Sequence, residues 1–226
     1  EKLGSMLEKT NRVVSLTRKI GELLKLDPPI ISKAERVAKL AKVDLLTQMV
    51  GELPELQGIA GRFYALSQEE KDVAHAIEQH YWPLTATGTL PSTDLSALVA
   101  LADKLDTLTA NFTVGLQPSG SADPYGLRRM GIGLVRMLIE KEWPHSIDTY
   151  IQLALKELGK ENQAQVQADL KSFLMQRFAS WYENQGFQVD EIESVTALSN
   201  ESFSLMAKKL SAIKSIRGKS EFLSLA

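Results

Sequence analysis

Apolar side chains recur at helical spacing along nearly the whole chain, and that period admits one fold class, all-α. Leu3, Met6, Leu7, Val13, Val14, Leu16, Ile20 and Leu24 form a first stripe that ends before Pro28-Pro29. Ser32 predicts the cap of a second helix through Ala38, Leu40, Leu45 and Met49, because a serine oxygen accepts from free first-turn amides. Pro54 suits the first turn of a third, in which Gly58 and Gly61 leave room for close packing. Ser67 with Glu70 reads as a capping box for a fourth helix, running to about His80 and stopping before Pro83. Ser92 or Thr93 opens a fifth, with Leu95, Leu98, Val99, Ala102, Leu105 and Leu108 on its buried side. After a loop containing Gly115, Pro118 and Gly120, Asp123-Pro124 predicts the start of a sixth. Further helices are expected near 146–158, 163–184, 189–197 and 201–216, with no run of strands and no internal repeat. Trp143-Pro144 interrupts the pattern and marks the expected boundary, around 141–146.

At 226 residues, 44% of them hydrophobic and 24% charged, the chain can bury the core of one large helical domain or a domain with an extension. No apolar run approaches the roughly 18 residues that would suggest a membrane span. Nothing near Glu1 has the layout of a signal peptide. The absence of cysteine excludes disulfides, thiolate zinc sites and cysteine nucleophiles, and it fits the cytosol. The stripe is already running at Glu1, and the chain ends on the apolar Phe222-Leu223-Ser224-Leu225-Ala226; both suggest a segment of a longer protein.

A net charge of −2 conceals an uneven distribution. Residues 44–106 hold ten acids (Asp44, Glu52, Glu55, Glu69, Glu70, Asp72, Glu78, Asp94, Asp103, Asp106) against Arg62, Lys71 and Lys104. Both ends of the chain are basic. Such ends could dock a polyanion, although the simpler reading is a set of solvated helix faces.

His75, His80 and His145 are the only histidines. The first two are separated by about 140° around a helix, a poor arrangement for one metal ion. They read as isolated, surface or partly packed side chains, and the helix end near His80 would favour its protonated form. Ala102-Asp103-Lys104-Leu105-Asp106 places two carboxylates three apart. The reading preferred here is an exposed face with an internal lysine pair, against a metal- or phosphate-handling face. At 117–129, free helix-start amides followed by Arg128 and Arg129 could hold a phosphate. Asp123 could equally satisfy those amides, and the arginines could pair with acids. No Walker loop, Gly-x-Ser-x-Gly elbow, HExxH or EF-hand pattern occurs, and no catalytic set is assigned. Phe173, Phe178, Trp181, Tyr182 and Phe187 read as a core seam rather than a base-stacking platform.

The motifs resemble one family. They begin at Lys2-Leu3-Gly4-Ser5-Met6 with Lys9 and Arg12, then Lys42-Val43-Asp44-Leu45, Met49-Val50 and Glu55-Leu56-Gln57-Gly58 with Gly61 and Tyr64-Ala65. His80-Tyr81 with Pro83, the run from Ala102 to Leu108, and Gly120-Ser121-Ala122-Asp123-Pro124-Tyr125 with Leu127-Arg128-Arg129 follow. Arg177, Gly186, Asp190 and Val195 extend the likeness. In order and spacing these resemble the β subunit of the bacterial heterotetrameric glycyl-tRNA synthetase.

The resemblance implies an HD-like helical domain over 1–142 and, over 143–226, a helical body leading towards a missing anticodon-binding domain. It implies tRNA(Gly), the α subunit and the rest of the β subunit as partners, in the cytoplasm, with no membrane or DNA. The whole enzyme would use ATP and magnesium; this fragment is expected to hold no cofactor and to lack catalytic activity. Arg128 and Arg129, then Arg136 and Lys104, are the expected tRNA contacts. Asp44 and Asp103 stand where active HD phosphohydrolases hold metal, with Val43 in place of a histidine, so that site reads as degenerate. A residual HD-type metal-dependent phosphohydrolase is the alternative.

Overall fold

Ser5 and Glu8 close a capping box, Glu8 N donating to Ser5 Oγ at 3.2 Å and Ser5 N to Glu8 Oε2 at 2.6 Å. From it the first helix, α1, runs Met6–Leu23. The computed structural model describes residues 3–118, 123–197 and 200–217, among which no strand occurs. Positions 119–122 of the loop candidate, the terminal 222–226 stretch and Lys2 lie outside the described residues.

The second helix, α2, spans Pro28–Leu40 and starts four residues before the expected Ser32. Its two prolines occupy the first turn, where a missing amide donor costs no intrahelical bond. Helix α2 ends at Leu40 rather than running on to Met49, and a single third helix from Pro54 does not form. Instead there is a 3-10 turn at Val43–Leu46, α3 at Gln48–Glu52, a second 3-10 turn at Pro54–Leu56 and α4 at Ile59–Ala65. Gly58, at φ 84°, makes the break that a residue with a side chain would resist. The capping box expected at Ser67 is also absent. Ser67 Oγ donates to Tyr64 O at 3.0 Å, and Glu70 is the N-cap of α5, Lys71–Gln79.

Thr93 caps α6, Asp94–Thr113, accepting from Ser96 N at 3.1 Å. Helix α7 covers Leu127–Glu140, beginning four residues after Asp123 rather than at it. The carboxylate of Asp123 reaches forward and accepts from Leu127 N at 2.8 Å and Arg128 N at 3.0 Å. Then come α8 (Ile147–Glu157), α9 (Ala164–Glu183), α10 (Val189–Thr196) and α11 (Phe203–Arg217), close to the expected ranges.

Helix α6 is the axis of the molecule. It packs against α1, α2, α5, α7, α8 and α9, and seventeen of its twenty residues are buried. The one-sided burial expected for it is therefore too narrow. Alanines at 97, 100, 102 and 110 let neighbours approach on every side, and a helix surrounded this way has no solvated face. The core continues without a gap past residue 142, joining Leu134 and Leu138 to Trp143, Tyr150 and Phe178. The aromatic seam lies inside it, with Phe178 stacked on Phe203 at 5.5 Å.

Candidate anion-binding cleft

Because α6 has no solvated face beyond its first turn, the charged residues past Asp94 are forced inward. Asp103, Lys104 and Asp106 are buried, which corrects the expectation of an exposed face with an internal lysine pair. Buried charges need partners, and α1 supplies most of them. Asp106 accepts from Arg12 Nε at 2.7 Å and from Lys9 Nζ at 3.0 Å. Lys9 also donates to Thr107 Oγ1 at 2.7 Å. Asp103 is held from two directions. Lys42 Nζ donates to its Oδ2 at 3.0 Å, and Lys9 Nζ stands 3.0 Å from its Oδ1 in a charge contact. Burial opposes ionisation of Asp103, yet the ammonium groups of Lys42 and Lys9 outweigh it and hold the carboxyl well below its usual range.

Lys104 differs from the other lysines. Its ammonium donates to the carbonyl oxygens of His80 at 3.1 Å and Tyr81 at 3.3 Å, and it makes no ion pair among the described residues. Burial lowers its pKa to about 7; Asp103 opposes the shift, and the charges of Lys42, Lys9 and Arg129 add to it.

His80 lies against this cluster and is fully buried, not a surface or partly packed side chain. Its Nδ1 bonds to Ile77 O, which leaves Nε2 as the acceptor, without a hydrogen bond among the described residues. A cavity of about 10 Å³ lined by His80, Lys9, Lys42 and Asp103 is at the lower limit for one water molecule. Burial and the nearby Lys42 hold the imidazole pKa well below its usual value, so the neutral ring prevails over the protonated form expected from the helix end. His75 is exposed, and His145 Nε2 donates to Leu23 O at 3.2 Å; the three histidines do not converge.

Above the cluster opens a cleft of about 380 Å³. Lys9, Lys42, Lys104 and Arg129 line it, with Asp103 as the one carboxylate among the described residues and Tyr81, Met6 and Leu84 on the walls. Lys42 Nζ also sits 4.0 Å from the centroid of the Tyr81 ring, a cation–π contact that fixes one wall. Arg128 and Arg129 diverge: Arg129 is exposed at the cleft, while Arg128 is half-buried near Arg177, whose pKa is lowered by burial first and by the Arg128 charge second. Arg136 is engaged elsewhere. Its Nη1 donates to Ala86 O at 2.8 Å and Gly88 O at 2.9 Å, and its guanidinium lies over the Trp181 ring. Of the four expected tRNA contacts, the cleft therefore gathers Lys104 and Arg129. Sequence reasoning missed Lys42 and Lys9 as members; a buried acidic pair on α6 that needs counter-charges was the available signal.

The family model for the glycyl-tRNA synthetase beta subunit matches residues 1–197. The chain belongs to the glycyl-tRNA synthetase beta subunit family. Similar proteins include the glycine–tRNA ligase beta subunit of Paracidovorax citrulli, 40% identical over 99% of this chain and 32% of that protein. The corresponding subunit of Citrifermentans bemidjiense is 39% identical over 100% of this chain and 33% of its own length. That of Aromatoleum aromaticum is 41% identical, over 100% and 32%. The chain thus spans about a third of the length of the curated relatives it matches.

Within this glycyl-tRNA synthetase beta subunit segment, the two aspartates compared with an HD metal site can be tested as a donor set. Asp44 is buried and accepts from Gly58 N at 2.6 Å, with Tyr81 Oη 3.5 Å away, so it fastens the chain break before α4. Asp103 carries an ammonium group beside each carboxylate oxygen. A divalent cation there would have to displace both lysines and find further oxygen or imidazole donors. The residues present do not fit one.

Proposed function

We propose that this chain is a tRNA-binding and scaffolding part of the β subunit of a glycine–tRNA ligase, the enzyme that joins glycine to tRNA(Gly) with ATP and magnesium. The observation that carries this reading is the family match over residues 1–197, supported by relatives whose names join glycine, tRNA and a beta subunit. In this reading residues 1–142 form an HD-like helical part kept as a scaffold, and 143–226 lead towards the remainder of the subunit. The two share one core. The α subunit and the rest of the β subunit are its partners, the cytoplasm is its compartment, and the chain itself contributes no catalytic group.

Arg128 and Arg129 contact the RNA backbone first in this scheme, and Lys104 acts from the cleft floor. Arg136 acts by holding the loop at Ala86 and Gly88, because those carbonyls already engage its guanidinium. A fluorescence titration with tRNA(Gly) at two salt concentrations tests the reading. Binding should weaken steeply with salt, and Arg128→Ala with Arg129→Ala should reduce the log–log salt slope by about one for each phosphate the pair neutralises. No binding at low salt, or binding indifferent to salt, would sink it.

A further inference from the structure

The cleft's charges do not balance. Four cationic side chains from separate stretches of the fold face it: Lys9 from α1, Lys42 from the turn after α2, Lys104 from α6 and Arg129 from α7. Asp103, the one carboxylate on its wall among the described residues, is already shared by Lys9 and Lys42. Asp106, behind it, is taken by Lys9 and Arg12. Lys104 and Arg129 are left with no ion pair among the described residues. Two of the three ammonium protons of Lys104 are directed to the His80 and Tyr81 carbonyl oxygens, which leaves one donor. Arg129 is exposed at the opening, with a guanidinium whose forked donors match a tetrahedral oxyanion.

We propose that this cleft seats one phosphoryl group, gripped by Arg129 at the mouth and Lys104 at the floor. Lys9 and Lys42 supply positive field from behind without giving up Asp103. A buried ammonium without a carboxylate of its own is unfavourable, and an entering anion offsets that cost. The depressed pKa of Lys104 is what such an uncompensated charge produces, and a bound dianion would raise it again. At about 380 Å³ the space takes a phosphate with part of whatever carries it, and Met6 and Leu84 offer apolar contact to that remainder. The phosphoryl group comes either from an RNA strand or from a free phosphate compound; only the first source rests on the tRNA-binding reading above.

Calorimetric titration of the full chain with inorganic pyrophosphate tests the seat, at constant ionic strength and with Arg129→Glu and Lys104→Met as variants. Arg129 is exposed, so its reversal spares the core, and methionine keeps the length of the lysine stem. Melting temperatures confirm that both variants are folded. Pyrophosphate that binds the parent and binds each variant at least tenfold more weakly supports the seat. Displacement of tRNA(Gly) by pyrophosphate then assigns it to RNA, whereas the same loss without displacement assigns it to a free phosphate compound. Pyrophosphate that fails to bind the folded parent, or binds parent and variants alike, overturns the seat. Either result overturns it whether or not tRNA binds, so the two readings fail separately.

Discussion

Lys104 is the residue at which pH should act on stability. Its pKa falls from the ordinary lysine value to about 7 on folding. Between pH 7 and the unfolded value near 10.5, the unfolded chain binds a proton that the folded chain does not. Stability contributed by this group therefore rises with pH through that window and is flat below it. Lys104→Met should reduce the rise, leaving the share of Lys42, whose pKa burial also lowers, and add about 1–3 kcal/mol at pH 7, as apolar replacements of buried charges can. Denaturant unfolding of parent and variant between pH 6.5 and 9.5 measures both effects. A parent curve flat across this range would contradict the assignment. Asp106 predicts the opposite outcome. Asp106→Ala takes from Arg12 its carboxylate and from Lys9 one of two, and the loss should be about 3–5 kcal/mol by the same measurement.

These residues also show what could be read in the sequence and what could not. The spacing of Asp103 and Asp106 singled them out, but their direction was misread, because direction depends on distant partners. Lys9 lies 97 residues from Asp106, and Lys42 lies 61 from Asp103. Helical periodicity carries no information about such pairs. The same holds for His80, whose burial follows from α6 passing beside it rather than from its own helix.

Among the elements, ends were legible wherever a local device sets them. Thr93 caps α6 as expected, and the four helices after α7 lie near their predicted ranges. Ends set by alternatives to the favoured device were legible only in part: two prolines outrank Ser32 at α2, whereas Asp123 does satisfy first-turn amides of α7, the alternative the sequence offered, but from a full turn away. Asp123→Ala should therefore cost about 1 kcal/mol even though the residue lies outside the helix. Packing gives a sharper prediction. A Cβ on Gly133 of α7 would meet Pro83 Cγ at 2.8 Å and Cδ at 2.9 Å, and one on Gly131 would meet Phe173 Cε1 at 2.8 Å. Gly133→Ala should destabilise by about 1–3 kcal/mol despite the better helix propensity of alanine. Gly51, also helical, has no atom within 4 Å of its Cβ position, so Gly51→Ala should be neutral or stabilising by up to about 1 kcal/mol. Thermal melts of the two variants side by side separate packing from propensity. If Gly133→Ala melted at or above the parent temperature, the close approach of α7 to Pro83 would be wrong.

For the molecule as a whole, the core decides cooperativity. Helices α8 and α9 pack on α6, and α11 packs on α7, so buried leucines on both sides of residue 142 share one interior. Calorimetry of the chain should show a single transition. A chain ending at 142 would expose surfaces of α6 and α7 that are otherwise covered, and it should aggregate or melt well below the parent. Two resolved transitions, or a stable 1–142 fragment, would refute this.

The ammonium groups beside Asp103 have a consequence for how the protein meets its surroundings. A counterion joined to the backbone is present in fixed stoichiometry at every dilution, and neither a chelator nor metal starvation can remove it. The charge around Asp103 is consequently set at synthesis. Dilution therefore cannot strip these charges from the site, and EDTA should leave the melting temperature where it was.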